Sequence, residues 1–316
     1  MLTKYILFII YCLAIEALAA PKLQAIRSYE VQIQRCRYQQ LRFITLRHFE
    51  MNQTKYVWGA EELSLKTHIV PEKELEKCQA QALSAADAAP VKLPYGPYFK
   101  ALERYNTWHG QLQNDGLKAD TNNRSGSFLT IDLCPSKHGL DRNLFLTIKE
   151  HQQPLAIAVS GLWILKHEDD WEWLQTTFAD YPLIWVNHSR NHPYYPDRPL
   201  DKNYLLSEGR DIRKEILEAE KILLQRGITP SIFFRFPGLV ANEAALSMTR
   251  SLGLIPLGSN AWLGKGQKPK PGSIILVHGN GNDLKGIKLY EEYLQSKQFA
   301  EPFRELLSIF EPKILK

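Results

Sequence analysis

The chain is short of cysteine, of charge imbalance and of long apolar runs, and each shortage narrows what it can be. Only the run from Tyr5 to Ile15 is long and apolar, and Glu16 follows it at once. That is less than the ~20 residues a membrane-crossing helix needs. With Lys4 ahead of the run and Ala17-Leu18-Ala19 behind it, Met1 to Ala19 reads as a secretory signal peptide, cut after Ala19. Nothing later is apolar enough to span, so no stable membrane span is expected after cleavage. The net charge of +5 over 316 residues is mild and spread along the chain, which fits ordinary solubility better than a nucleic-acid surface. Of the four cysteines, Cys36, Cys78 and Cys134 survive cleavage. In an oxidising compartment Cys36 and Cys78 can close a disulfide and leave Cys134 alone, although sequence does not show whether the two approach. A further absence concerns Trp185-Val-Asn-His-Ser-Arg-Asn-His-Pro193, where Ser189, not glutamate, follows the first histidine. That excludes the metalloprotease pattern.

What is present falls into two textures. From Arg27 to Val70 apolar and polar residues alternate, which predicts a few strands with one exposed face. Glu72 to Ala88 is charged and alanine-rich and predicts a helix, followed by a proline-punctuated linker and a short helix over 99–112. From Ser127 apolar runs alternate with amphipathic stretches. Runs at 128–133, 155–159, 183–186, 231–236, 254–257 and 274–277 are separated by helical patterns near 141–151, 162–178, 205–226 and 242–252, and a last helix starts at Leu284. This alternation predicts parallel strands with crossover helices, in a barrel or an open sheet. Both architectures place functional groups at the carboxyl ends of strands.

At those ends stand Asp132 after the first run, His188 and His192 after the third, Arg235 to Gly238 after the fourth, Ser259 to Trp262 after the fifth, and His278 after the last. Two histidines four apart can reach one metal ion if the backbone turns helically between them.

In order and spacing, Thr130-Ile-Asp-Leu-Cys-Pro135, His188-Ser-Arg-Asn-His-Pro193, Arg235-Phe-Pro-Gly238, Ser259-Asn-Ala-Trp262 and Leu276-Val-His278 resemble the five motifs of the NodB-homology polysaccharide deacetylases, carbohydrate esterase family four. The resemblance runs from Ser127 to about Lys297. It implies an α/β fold, a distorted (β/α) barrel of about seven parallel strands, here with a small β-rich N-terminal accessory region. With the signal peptide at 1–19 and the accessory region and linker at 20–126 read from the residues, the resemblance makes 127–316 the deacetylase domain. It also implies a metal-dependent hydrolase acting on C–N amide bonds of an N-acetylated polysaccharide or peptidoglycan-type substrate, while the signal peptide points to export, to the periplasm or beyond the cell.

The resemblance assigns roles residue by residue. His188 and His192 correspond to ligands of a divalent metal, commonly zinc, that polarises the acetamide carbonyl. Asp132 corresponds to the general base, Arg235 to the cation that keeps it charged, and His278 to the general acid. Leu276 lines the acetyl pocket, the Gly238 backbone N–H helps hold the oxyanion, and Trp262 and Tyr194 offer faces to a sugar ring. The pattern breaks in two places. The family's third metal ligand is the carboxylate where Leu133 stands, and the carboxylate partner of His278 is absent from Ser259-Asn-Ala-Trp262. Asp132 can move from base to ligand, which makes His188, His192 and Asp132 the expected metal set; Cys134 can ligate instead; or the site binds metal weakly or not at all. Asp283 can replace the partner of His278, although capping of its own loop is the preferred reading. These breaks leave a rival function open, a pseudo-deacetylase that binds glycan without turnover.

Overall fold

A computed structural model describes residues 25–81, 83, 96–122, 124–295 and 303–311; the signal peptide expected at 1–19 and most of the expected linker lie outside them. Two sheets organise the chain. The first joins β1 (Ile26–Val31), β2 (Gln34–Tyr38), β3 (Leu41–Met51), β4 (Thr54–Glu61), β5 (Thr67–Pro71) and β6 (Leu75–Ala80), in the order β5-β4-β3-β2-β6 with β1 also on β3. Its pairings are antiparallel, and one face is dry: Ile44, Leu46 and Trp58 are fully buried. The expected helix over 72–88 is not formed in its described part. Residues Glu72–Glu74 make one 3-10 turn and Leu75–Ala80 are a strand. Helical propensity over this stretch is a small term, and pairing with β2 outweighs it. The Cys36–Cys78 disulfide links these same two strands.

After α1 (Pro97–Tyr105), the second sheet is built from β7 (Phe128–Leu133), β8 (Leu155–Val159), β9 (Leu183–Asn187), β10 (Phe233–Phe234), β11 (Ile255–Pro256), β12 (Ala261–Trp262) and β13 (Ile274–His278). Its order is β11-β10-β9-β8-β7-β13-β12 and its pairings are all parallel. Seven parallel strands curl into a half-barrel, the distorted (β/α) barrel expected. Strands β7 and β8 are buried at every position, as parallel strands covered on both faces must be. The crossovers are α2 (Arg142–Glu150), α3 (Gly161–Lys166), α4 (Glu168–Thr177), α5 (Ile212–Gln225) and α6 (Glu243–Ser251), with α7 (Leu284–Gln295) after β13.

Each crossover starts on a side chain suited to the task. Asp141, Ser160, Asp211 and Asn242 accept hydrogen bonds from the free amides of α2, α3, α5 and α6. The one helix expected over 162–178 is two, because His167 leaves helical geometry between α3 and α4. Four strands are shorter or longer than their apolar runs; β10 and β11 keep two residues each.

The first sheet docks on the amino-terminal face of the barrel. Trp58 Nε1 and Thr67 Oγ1 donate to the Pro230 carbonyl, just ahead of β10, and Tyr98 OH donates to Gly253, just ahead of β11. Between them Arg47 on β3 forks onto Glu220 of α5, with both N–O contacts at 2.8 Å and both side chains fully buried. The carboxyl ends of the strands, where the motifs lie, therefore face the other way. Residues 113–119 run along the open side of the barrel, bridging to Val240, Leu257 and Ser273. Asp120 ends this strap and holds both Arg124 and Arg304 at 2.9 Å.

Candidate functional site

The period-two alternation of β7 sorts its residues between two sides. Leu129, Ile131 and Leu133 pack with Trp163, Ile164 and Val277 in the layer between sheet and helices. Asp132, and Cys134 just past the strand end, line a cavity of about 430 Å³ at the carboxyl rim. Leu133 is wholly buried in the helical layer, so the position of the family's missing carboxylate points out of the cavity.

The cavity gathers His188 and His192 from the loop after β9, Gly238 after β10, Trp262 on β12, and Leu276 and His278 on β13. Tyr194 reaches its mouth, 56% exposed. Every expected site residue is thus at this rim; Arg235 lies beneath it, fully buried. Its Nη1 donates to Asp132 Oδ1 at 2.7 Å and to Thr130 Oγ1 at 3.0 Å, and its Nη2 donates to the Gly258 carbonyl at 3.2 Å. A guanidinium pinned at three points fixes the carboxylate beside it in place.

The histidine pair is not helical. Ser189 and His192 adopt positive φ of 66° and 44°, strained values for residues with a Cβ. The tight turn is tied by Ser189 Oγ, which accepts from the His192 amide, and by Glu215 of α5, which takes both the backbone and side-chain amides of Asn191. It folds the second imidazole back onto the first, with centroids 4.6 Å apart. His188 Nδ1 lies 2.8 Å from the Arg235 carbonyl. A carbonyl can only accept, so Nδ1 carries the proton and Nε2 turns its lone pair inward. Inward of it are Cys134 Sγ at 3.5 Å and Asp132 Oδ2 at 3.7 Å. His192 Nε2 is buried without any hydrogen bond. Its lone pair or proton therefore needs a partner.

Charge in this pocket is coupled. Burial holds His188 down at about 4, against the pull of Asp132, which leaves it a neutral donor. Burial alone raises the Cys134 thiol, but the charges of His192 and then His278 outweigh it and bring it to about 7. Burial lowers His278 too, and Cys134, Asp283 and Asp132 together reverse that and push it up to about 10.

Asp283 combines the two roles open to it, helix cap and neighbour of His278. It caps α7 by accepting from the Gly286 amide at 2.9 Å, and its other oxygen faces His278 Nδ1 at 3.6 Å. One carboxylate serves both uses because His278 ends β13 and α7 begins six residues on, at Leu284. The residue that sequence reasoning missed is Tyr204. Its ring lies where a side chain on Gly238 would be, stacks on Tyr194 at 5.2 Å and meets His192 edge to face at 6.1 Å. The hint in the chain was the glycine at 238, which leaves room for that ring. Asn282 also lines the cavity.

The family model for polysaccharide deacetylases matches residues 119–256. This stretch belongs to the polysaccharide deacetylase family. It carries Asp132, His188, His192, Arg235 and Gly238, while Trp262, Leu276 and His278 follow it and join the site through the sheet: His278 pairs with Asp132 in the β13–β7 register. The chain is similar to a family 4 carbohydrate esterase from Bacillus anthracis, at 21% identity over 73% of this chain and 98% of that one, with a TM-score of 0.46. It is similar also to the Bc1960 peptidoglycan N-acetylglucosamine deacetylase, at 19% over 62% and 90%, with a TM-score of 0.47. A third is a mutant of BA3943, a pseudoenzyme of the same esterase family with restored activity, at 13% over 92% and 95% and a TM-score of 0.44.

Proposed function

We propose that this protein is an exported, metal-dependent deacetylase that hydrolyses N-acetyl groups of a glycan, a polysaccharide or peptidoglycan-type polymer. The observation that carries this reading is the Asp132 carboxylate, held by Arg235 at 2.7 Å and facing two inward imidazoles and a third histidine in one cavity. The donor set fits a divalent metal: His188 is fixed in the tautomer that offers Nε2, and His192 Nε2 is buried and unpartnered. His188 and His192 would hold it, with zinc the best match to imidazole donors. When bound, such a metal polarises the acetamide carbonyl and acidifies water.

The chain's own groups divide the remaining work. Asp132 takes the proton from the attacking water, aimed by Arg235. His278, across the β13–β7 register from Asp132, gives a proton to the departing amine, and Asp283 orients its ring. Leu276 faces the acetyl methyl, and the Gly238 N–H donates to the oxyanion. Trp262, 5.5 Å from the His278 ring, and Tyr194 flank the groove where a pyranose face would lie. Export is supported by the signal-like Met1 to Ala19 and by the Cys36–Cys78 disulfide, a bond that persists in the periplasm or outside the cell. The division at 126/127 is proposed with it.

The rival, a glycan-binding pseudo-deacetylase, draws on Leu133 facing the core. Acetate release from N-acetylglucosamine oligomers separates them. The deacetylase reading requires turnover that disappears on chelation, returns with zinc, and is absent in His188→Ala. Turnover untouched by both treatments, or none in the zinc-loaded wild type, refutes it.

A further inference from the structure

The third donor to the proposed metal is a residue that the family pattern does not use. Resting on the metal-dependent reading above, we infer that Cys134 is that donor, so that the centre is a two-histidine, one-thiolate site and Asp132 stays free as a base. Cys134 Sγ, His188 and His192 offer ligand atoms that all lie within 4.8 Å of one another, and Asp132 stands outside that cluster. Donors on one tetrahedral ion with bonds of ~2.0–2.3 Å lie roughly 3.3–3.8 Å apart, so small side-chain rotations bring these three onto one ion.

Three features of the chain place the sulfur there. Two-residue alternation carries Cys134 to the same side as Asp132, while Leu133 turns into the helical layer. The buried Asn280 side chain donates to the Cys134 carbonyl and fixes its backbone. The sulfur is already 3.5 Å from His188 Nε2, the lone pair left inward by the bond to Arg235.

Charge and bonding both favour the exchange. A thiolate restores the single negative charge lost with the carboxylate at position 133. It also frees Asp132 from a double duty: one oxygen is taken by Arg235, and a carboxylate that ligates through the other cannot also take up a proton. Sulfur narrows the choice of ion as well, because thiolate with imidazole selects zinc and its soft neighbours over magnesium and calcium. The chain that lost the family's hard oxygen ligand should therefore be more selective for zinc and cobalt.

Cobalt makes the sulfur visible. The full mature chain, stripped with chelator and titrated with Co²⁺ alone, should show thiolate-to-cobalt charge-transfer absorption in the near ultraviolet. In Cys134→Ser that absorption disappears while the weaker visible bands of a histidine-bound ion remain, and affinity for zinc in a chelator competition falls at least roughly tenfold. Asp132→Asn keeps the absorption. Cys134→Asp, a second variant, binds cobalt without it and gains affinity for magnesium or manganese relative to the wild type. Charge transfer that persists in Cys134→Ser, or that is lost in Asp132→Asn alone, overturns the assignment and leaves a metal site with other ligands. A wild type that takes up neither ion overturns the metal-dependent reading itself, and this assignment with it.

Discussion

Gly238 and Tyr204 form a pair whose coupling can be calculated and measured. A Cβ built on Gly238 would lie 2.4 and 2.5 Å from the Cζ and Cε2 atoms of Tyr204, distances no real Cβ sustains, and its φ is 62°. Two separable costs therefore oppose Gly238→Ala. A left-handed conformation disfavours any L side chain by about 1–2 kcal/mol. Overpacking against a ring adds about 1–3 kcal/mol. The single variant should lose about 2–5 kcal/mol, the sum of these terms. In Tyr204→Ala the ring is gone, so adding Gly238→Ala should cost only the left-handed part. Urea unfolding of the four proteins by linear extrapolation then gives a coupling of about 1–3 kcal/mol, well beyond the ~0.5 kcal/mol scatter of independent sites. The ring also touches His192 and Tyr194, so its displacement should lower kcat/KM on acetylated oligomers by on the order of tenfold or more. Additive losses within that scatter, with unchanged turnover, would show that Tyr204 swings aside freely and that position 238 has no need of glycine.

Two further outcomes test the frame around the site. Arg47→Met leaves the fully buried Glu220 carboxylate without its counter-charge, held by the Tyr29 hydroxyl, and frees the Leu252 carbonyl that Arg47 also binds, and should cost about 3–5 kcal/mol in urea. The double variant Arg47→Met/Glu220→Leu should recover most of that, because no uncompensated charge is then buried, and both should keep wild-type kcat/KM while folded, since the pair lies at the opposite face from Asp132. Asp120 governs the acid limb: burial would raise its pKa, but the Asn122 amide and the Arg304 and Arg124 guanidinia lower it. A depressed carboxylate contributes stability that is present above its unfolded pKa of about 4 and is lost as pH falls through the folded value. Asp120→Asn should therefore be less stable than wild type at neutral pH and lose less between about pH 4 and pH 2; parallel curves across that range contradict the assignment.

Much of the architecture was legible from residue order alone. Continuous apolar runs such as Leu155 to Val159 suit a strand covered on both faces, and the capping residues Asp141, Asp211 and Asn242 start the helices between them. Motif order placed Asp132, His188, His192, Arg235 and His278 at one rim before any coordinate was known. Local preference misled where a distant partner outweighed it. The alanine-rich, charged stretch after Glu72 becomes β6 because β2 offers a ladder and Cys36 a covalent tie.

By itself the sequence determined what is local or periodic: the strand-helix rhythm, the faces of β7, the turn residues and the family of motifs. Only the tertiary structure decided which atoms meet. It set Cys134 beside His188 across 54 residues, laid Tyr204 over Gly238, and gave His278 the carboxylate of Asp283. Such contacts depend on how strands are ordered and how loops close over their ends. No spacing along the chain encodes the distance between two loops that a folded sheet brings to one rim.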